Sequence, residues 1–179
     1  MSILIIILLA IGGIIVLLLG VAALAPKDFA LEKQVVIRKP KAQVFDYLKL
    51  IKNQEKYSVW VMKDPNVKIV YTGTDGTVGF KSAWESDDKN VGIGEQEIIK
   101  LREDESLDVE IRFKKPFEAT NYAHNAVTSA GDGQTKVTLI FSGSSKFPMN
   151  IMNLFMEKLV GRDMQQNLLN LKNNLEGKG

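Results

Sequence analysis

Residues 107–113 read Leu107-Asp108-Val109-Glu110-Ile111-Arg112-Phe113. Apolar and charged side chains alternate without a break. Successive side chains of a strand point to opposite faces, so Leu107, Val109, Ile111 and Phe113 share one face and Asp108, Glu110 and Arg112 the other. One buried face and one wet face is the pattern of an antiparallel sheet covered on a single side.

The same period recurs outward from this stretch. Residues 135–142 set Val137, Leu139 and Phe141 against Lys136, Thr138 and Ile140. Residues 78–85 set Val78, Phe80, Ser82 and Trp84 against Lys81, Ala83 and Glu85. Residues 29–38 place Leu31, Lys33, Val35 and Ile37 together, and residues 67–72 and 119–128 read as further strands. Gly73-Thr74-Asp75-Gly76, residues 86–90 and Gly131-Asp132-Gly133 supply turns. Gly92 and Gly94 interrupt the strand over 91–101 and predict a bulge or sharp bend.

Helical signals flank the strands. Pro40 opens a short helix with Val44, Phe45 and Leu48 as its apolar stripe, and a second short piece covers residues 51–57. Trp60, Met62 and Asp64-Pro65 fall in an irregular stretch after it. Pro148 opens a long amphipathic helix running to about Glu176. Met152, Phe155, Met156, Leu159, Val160, Met164, Leu168, Leu171 and Leu175 recur there at spacings of three and four. Gly161 sits inside it at a cost of up to about 1 kcal/mol relative to Ala. The order predicts an α+β fold: a curved antiparallel sheet of about six to seven strands gripping one long C-terminal helix.

The chain begins in a different style. Residues 3–25 carry no charge and are ended by Pro26. At about 1.5 Å per residue the run is roughly 35 Å long as a helix, enough to span a bilayer core of about 30 Å with some tilt. A cleaved signal peptide would show a basic n-region and a shorter apolar core. Here only Met1-Ser2 precede the run, and Pro26 directly follows the cleavage-like Ala23-Leu24-Ala25. A buried core helix would rarely lack polar residues for so long. The expectation is a retained transmembrane anchor over residues 1–26 and one globular domain over 27–179. Lys27, Lys33, Arg38, Lys39 and Lys41 follow the run and no basic residue precedes it. The positive-inside rule then puts the domain on the cytoplasmic side of the cell's inner membrane. Gly12-Gly13 does not form a Gly-x-x-x-Gly dimerisation motif, and oligomeric state is not readable here.

Composition excludes several function classes. With 23 basic and 21 acidic residues, the net charge of +2 is too small to argue for a nucleic-acid partner. There is no cysteine and a single histidine, His124, so a Cys–His dyad or a site needing two histidines cannot be built. No P-loop or dinucleotide glycine motif is present, and no cofactor or metal is expected. His124 and Glu97 remain as candidates for acid–base chemistry. Each has a plain alternative, as a surface or hydrogen-bonded residue and as part of a solvated edge.

Several local motifs add to the element order. They are Val36-Ile37-Arg38-Lys39-Pro40 with Val44-Phe45, Trp60 with Asp64-Pro65, and Gly76-Thr77-Val78-Gly79 before Trp84-Glu85-Ser86. Val91-Gly92-Ile93-Gly94-Glu95, Thr135-Lys136-Val137-Thr138, Gly143, Gly161-Arg162-Asp163 and Asn170-Leu171-Lys172 complete the set. In this order the chain resembles the SRPBCC (START-like) helix-grip superfamily, and within it the polyketide cyclase/dehydrase-like branch with an N-terminal membrane anchor. It departs from that pattern at Leu139, where an aromatic is common, and at Asn167-Leu168, where a Gly-Leu pair is common.

The resemblance implies a cavity between sheet and helix, and it implies no particular reaction. The large side chains expected to point inward from the sheet are Phe80, Trp84, Ile111, Phe113, Tyr122 and Phe141. Those expected from the helix are Met152, Phe155, Met156 and Leu159. Each could equally be core packing. The favoured expectation is a membrane-anchored domain that binds a hydrophobic small molecule or lipid. A cyclase/dehydrase-type enzyme and a structural or regulatory membrane module with a filled core stay open beside it.

Overall fold

The structure is a computed structural model and describes residues 2–177. Helix α1 (Ile3–Leu24) exposes every side chain except Ala22, and it is long and apolar enough to cross a membrane. Seven strands follow: β1 (Asp28–Ile37), β2 (Lys68–Thr72), β3 (Lys81–Glu85), β4 (Ile93–Arg102), β5 (Ser106–Lys115), β6 (Ala119–Ser129) and β7 (Thr135–Ser144). They form one antiparallel sheet in the order β1-β7-β6-β5-β4-β3-β2. Strands β2 to β7 run as a meander, and β1 closes against β7. The segment that carries the chain from β1 to β2 holds α2 (Lys41–Leu48), a 3₁₀ turn (Ile51–Lys56) and α3 (Val59–Lys63). Trp60 and Met62 thus sit on a short helix, where an irregular stretch was expected. The last helix, α4 (Arg162–Glu176), packs against β1. This is the expected α+β helix-grip architecture.

Two apolar clusters form the core. Ile37, Val44, Phe45, Val137, Leu168 and Leu171 join β1, α2, β7 and α4; Ile51, Phe80, Ile98, Leu107 and Val109 join the 3₁₀ turn to the middle strands. A side chain such as Phe45, with none of its surface exposed, contributes about 1.5–3 kcal/mol by burial.

Three local features of the fold have physical causes. Strand β3 starts at Lys81, so Val78 lies in the preceding turn and is exposed. The bend at Gly92 and Gly94 is present as a register shift between Ile93 and Gly94. Gly92 has φ +66°, and a Cβ there would stand 2.2 Å from the carbonyl oxygen of Lys115. Only glycine fits that approach.

The third feature matters most, and it departs from the expected long helix. Residues after Pro148 do not continue α4 as one helix. They form a 3₁₀ segment (Met149–Phe155) and then a π turn (Glu157–Gly161). Three residues per turn stack positions i and i+3, so Asn150 and Asn153 make one row and Met149, Met152 and Phe155 the next. The asparagine row is buried, and the apolar row is exposed. Asn150 Nδ2 donates to the carbonyls of Ala22 (2.7 Å) and Ala25 (2.9 Å), and Asn153 Nδ2 to those of Pro26 (3.0 Å) and Lys27 (2.8 Å). Carbonyls at a helix C-terminus lack intrahelical partners; Asn150 supplies one for Ala22 of α1 and for its cap Ala25, and Asn153 serves the two residues beyond.

Candidate ligand cavity

Between the sheet and α4, bordered by members of both clusters, lies a cavity of about 450 Å³. Strand β5 gives it Val109, Ile111 and Phe113; β7 gives Leu139 and Phe141; β6 gives Ala123 and Asn125. Met164, Leu168 and Leu171 of α4 close it from the other side, and Trp60 and Val61 of α3 stand at one wall.

Trp84 is held in place from three sides. Its indole Nε1 donates to the carbonyl of Val91 at 3.2 Å, and its ring meets Phe113 edge-on at 5.8 Å between centroids. Its cross-strand partner is Gly94, where a Cβ would lie 2.5 Å from the indole. The missing side chain at Gly94 is what lets the ring lie over the neighbouring strand.

Polar groups are the minority of the lining. Gln96 Nε2 donates to Gln54 Oε1 at 2.8 Å, and Asn167 Oδ1 accepts the backbone N–H of Val59 at 2.7 Å. The side chains of Tyr57 and Asn125 make no hydrogen bond among the described residues. Burial pushes the Tyr57 phenol well above its ordinary pKa, so it stays a neutral donor. Lys63 and Asp163, 3.7 Å apart, are the charged residues lining the cavity. The arrangement is chemically suited to a mostly apolar guest with one or two neutral hydrogen-bonding groups.

Of the expected inward residues, Trp84, Ile111, Phe113, Phe141 and Leu159 line this cavity. The rest lie elsewhere. Phe80 stacks on Tyr71 at 5.9 Å within the second core cluster. Tyr122 faces outward, because Val127 and Asn121 set the buried register of β6 and even-numbered positions take the other face. Met152 and Phe155 are exposed and Met156 only partly covered, since the 3₁₀ and π winding rotates them off the stripe that α4 buries.

The two acid–base candidates also sit on the outer face. His124 Nδ1 pairs with the Asp108 carboxylate there. Glu97 accepts from Arg112 Nη2 at 2.6 Å and pairs with Lys81 at 3.3 Å. Arg112 also bonds Glu95 (2.7 Å) and Glu110, and this hydrogen bonding holds the Glu97 carboxyl below its usual pKa. Neither side chain is part of the cavity wall. Sequence reasoning passed over Tyr57, Trp60 and Asn125. The alternation through Val127 would have put Asn125 on the inner face.

A curved sheet gripping a helix around an apolar cavity defines the class as a helix-grip domain. The chain belongs to the family described as "Polyketide cyclase / dehydrase and lipid transport", whose model matches residues 28–176. Solved structures share the fold at low identity. Norcoclaurine synthase from Thalictrum flavum, in complex with dopamine and hydroxybenzaldehyde, superposes with a TM-score of 0.66 at 7% identity, covering 85% of this chain and 88% of that one. The Zhui aromatase/cyclase from Streptomyces sp. R1128 gives 0.62 at 12% identity, covering 83% and 94%. Protein Ms6760 from Mycobacterium smegmatis gives 0.57 at 16%, covering 84% and 93%. A search of curated proteins finds no match.

Proposed function

We propose that this chain is a membrane-anchored domain, with residues 1–26 as anchor and 27–179 as body, that binds a hydrophobic small molecule or lipid between sheet and C-terminal helix. The cavity carries the reading. At about 450 Å³ it falls in the range of small-molecule sites, its walls are chiefly aliphatic and aromatic, and its polar groups are neutral apart from Lys63 and Asp163. The apolar α1 and the basic residues after it support a body held at the cytoplasmic face of a membrane, close to apolar ligand. An open cavity weighs against a module with a filled core.

The family description names both catalysis and transport. A cyclase/dehydrase-type enzyme is the second reading. One observation favours it: the Lys63–Asp163 pair could act on a guest held against the apolar walls. Native mass spectrometry of the full chain, gently extracted from cells, tests the leading reading. A co-purified apolar mass supports it. Consistently empty protein that also refuses lipid probes contradicts it.

A further inference from the structure

We infer that residues 147–159 are seated in the interface of the bilayer leaflet from which α1 emerges, so that the cavity wall at Leu159 adjoins lipid. This rests on the anchor reading above. Phe147, Met149, Met152 and Phe155 each expose 41–53% of their surface. A cluster of large apolar side chains open to water is uncommon on a soluble domain and marks a contact surface.

Its position names the contact. Asn150 and Asn153, in the row beside Met149, Met152 and Phe155, are bonded to the carbonyls of Ala22, Ala25, Pro26 and Lys27. The exposed row is thereby fixed at the point where the apolar helix ends. If α1 spans a bilayer, these side chains stand at the level where acyl chains meet headgroups. Interfacial helices bury their apolar face about 5–10 Å deep in that region. Lys146 and Lys158, both exposed, bracket the row and suit anionic headgroups. Leu159 belongs to both surfaces, being half exposed and lining the cavity. A guest could pass between bilayer and cavity along this side without crossing bulk water.

The chain has no cysteine, so single cysteines can be placed and labelled one at a time. The experiment uses the full chain in phosphatidylcholine/phosphatidylglycerol vesicles with an environment-sensitive fluorophore at Met149→Cys, Met152→Cys, Phe155→Cys or Leu159→Cys. Leu9→Cys reports the anchor, and Val70→Cys, exposed on edge strand β2, serves as the aqueous reference. Doxyl-labelled lipid is the quencher. The expected result is quenching at all four positions and at Leu9, with none at Val70. Quenching at Leu9 but at none of the four would overturn this inference and leave the anchor standing. No quenching at Leu9 would overturn the anchor, and the inference with it.

Discussion

Asn150 donates a hydrogen bond to the carbonyl oxygen of Ala22, 128 residues earlier in the chain, at 2.7 Å. The same amide nitrogen serves Ala25 at 2.9 Å, while its Oδ1 is buried with no partner among the described residues. The two carbonyls therefore fix the orientation of the amide, since a flipped group would set oxygen against oxygen. The bond ties the end of α1 to the segment that leads into α4.

Replacing Asn150 by Leu removes both donors and leaves two carbonyls unpaired. The expected cost is about 1–3 kcal/mol of local stability at the junction. Hydrogen exchange should speed up at Ala25 and Lys27 and in residues 145–155, while the amides of β5 and β6 keep their protection. Unchanged exchange at the junction would show that the pair holds nothing together.

Gly94 and Trp84 give a second test. A Cβ on residue 94 would meet the indole at 2.5 Å and the backbone oxygen of Arg112 at 2.8 Å, and a backbone atom cannot step aside cheaply. Gly94→Ala should destabilise the domain by about 1–3 kcal/mol through overpacking and displace the ring from the cavity. Thermal unfolding and tryptophan emission read the two effects. Both tryptophans of the chain, Trp60 and Trp84, line the cavity, so emission also reports a bound guest.

The outer-face network predicts a pH dependence. Hydrogen bonding from Arg112 lowers the folded pKa of Glu97. Its stabilising contribution is therefore complete above the unfolded value of 4.5 and is lost as pH falls through the depressed folded value. Stability should decline on acidification below about pH 4.5. Arg112→Met leaves Glu95, Glu97 and Glu110 clustered without their shared cation. The expected loss at pH 7 is about 1–2 kcal/mol, intermediate between exposed and buried pairs, and it should shrink as the carboxylates protonate. Melting curves of both proteins from pH 3 to 8 would show the two trends converge at low pH. Parallel curves would contradict the assignment.

The sheet was legible because its faces differ in polarity. Leu107 through Phe113 announces an inner and an outer face, and the structure keeps that division. Tyr122 departs from the expected inward face because Val127 sets the strand's register the other way, and the size of an aromatic does not override register. The helical end was misread for a deeper reason. A pattern of threes and fours fits an α-helix, but the partners of Asn150 and Asn153 are carbonyls at and just beyond the end of α1, far away in sequence. No local periodicity encodes that bond. Tyr57 follows the 3₁₀ turn, where no alternation assigns a face, and an unpartnered hydroxyl there becomes visible only once the surrounding walls are known.

The proposed function requires the space between sheet and helix to take up an apolar guest. Its most direct measurement is a titration of the full chain in detergent-free nanodiscs with a fluorescent fatty-acid probe, followed by energy transfer from Trp60 and Trp84. Ile111→Trp, whose larger side chain would fill part of the cavity, is the matched control, with probe emission read directly. Saturable transfer in the native chain, with probe binding lost in Ile111→Trp while the melting temperature holds, is the predicted result. Equal probe binding by both proteins, or none by the native chain, would contradict the account.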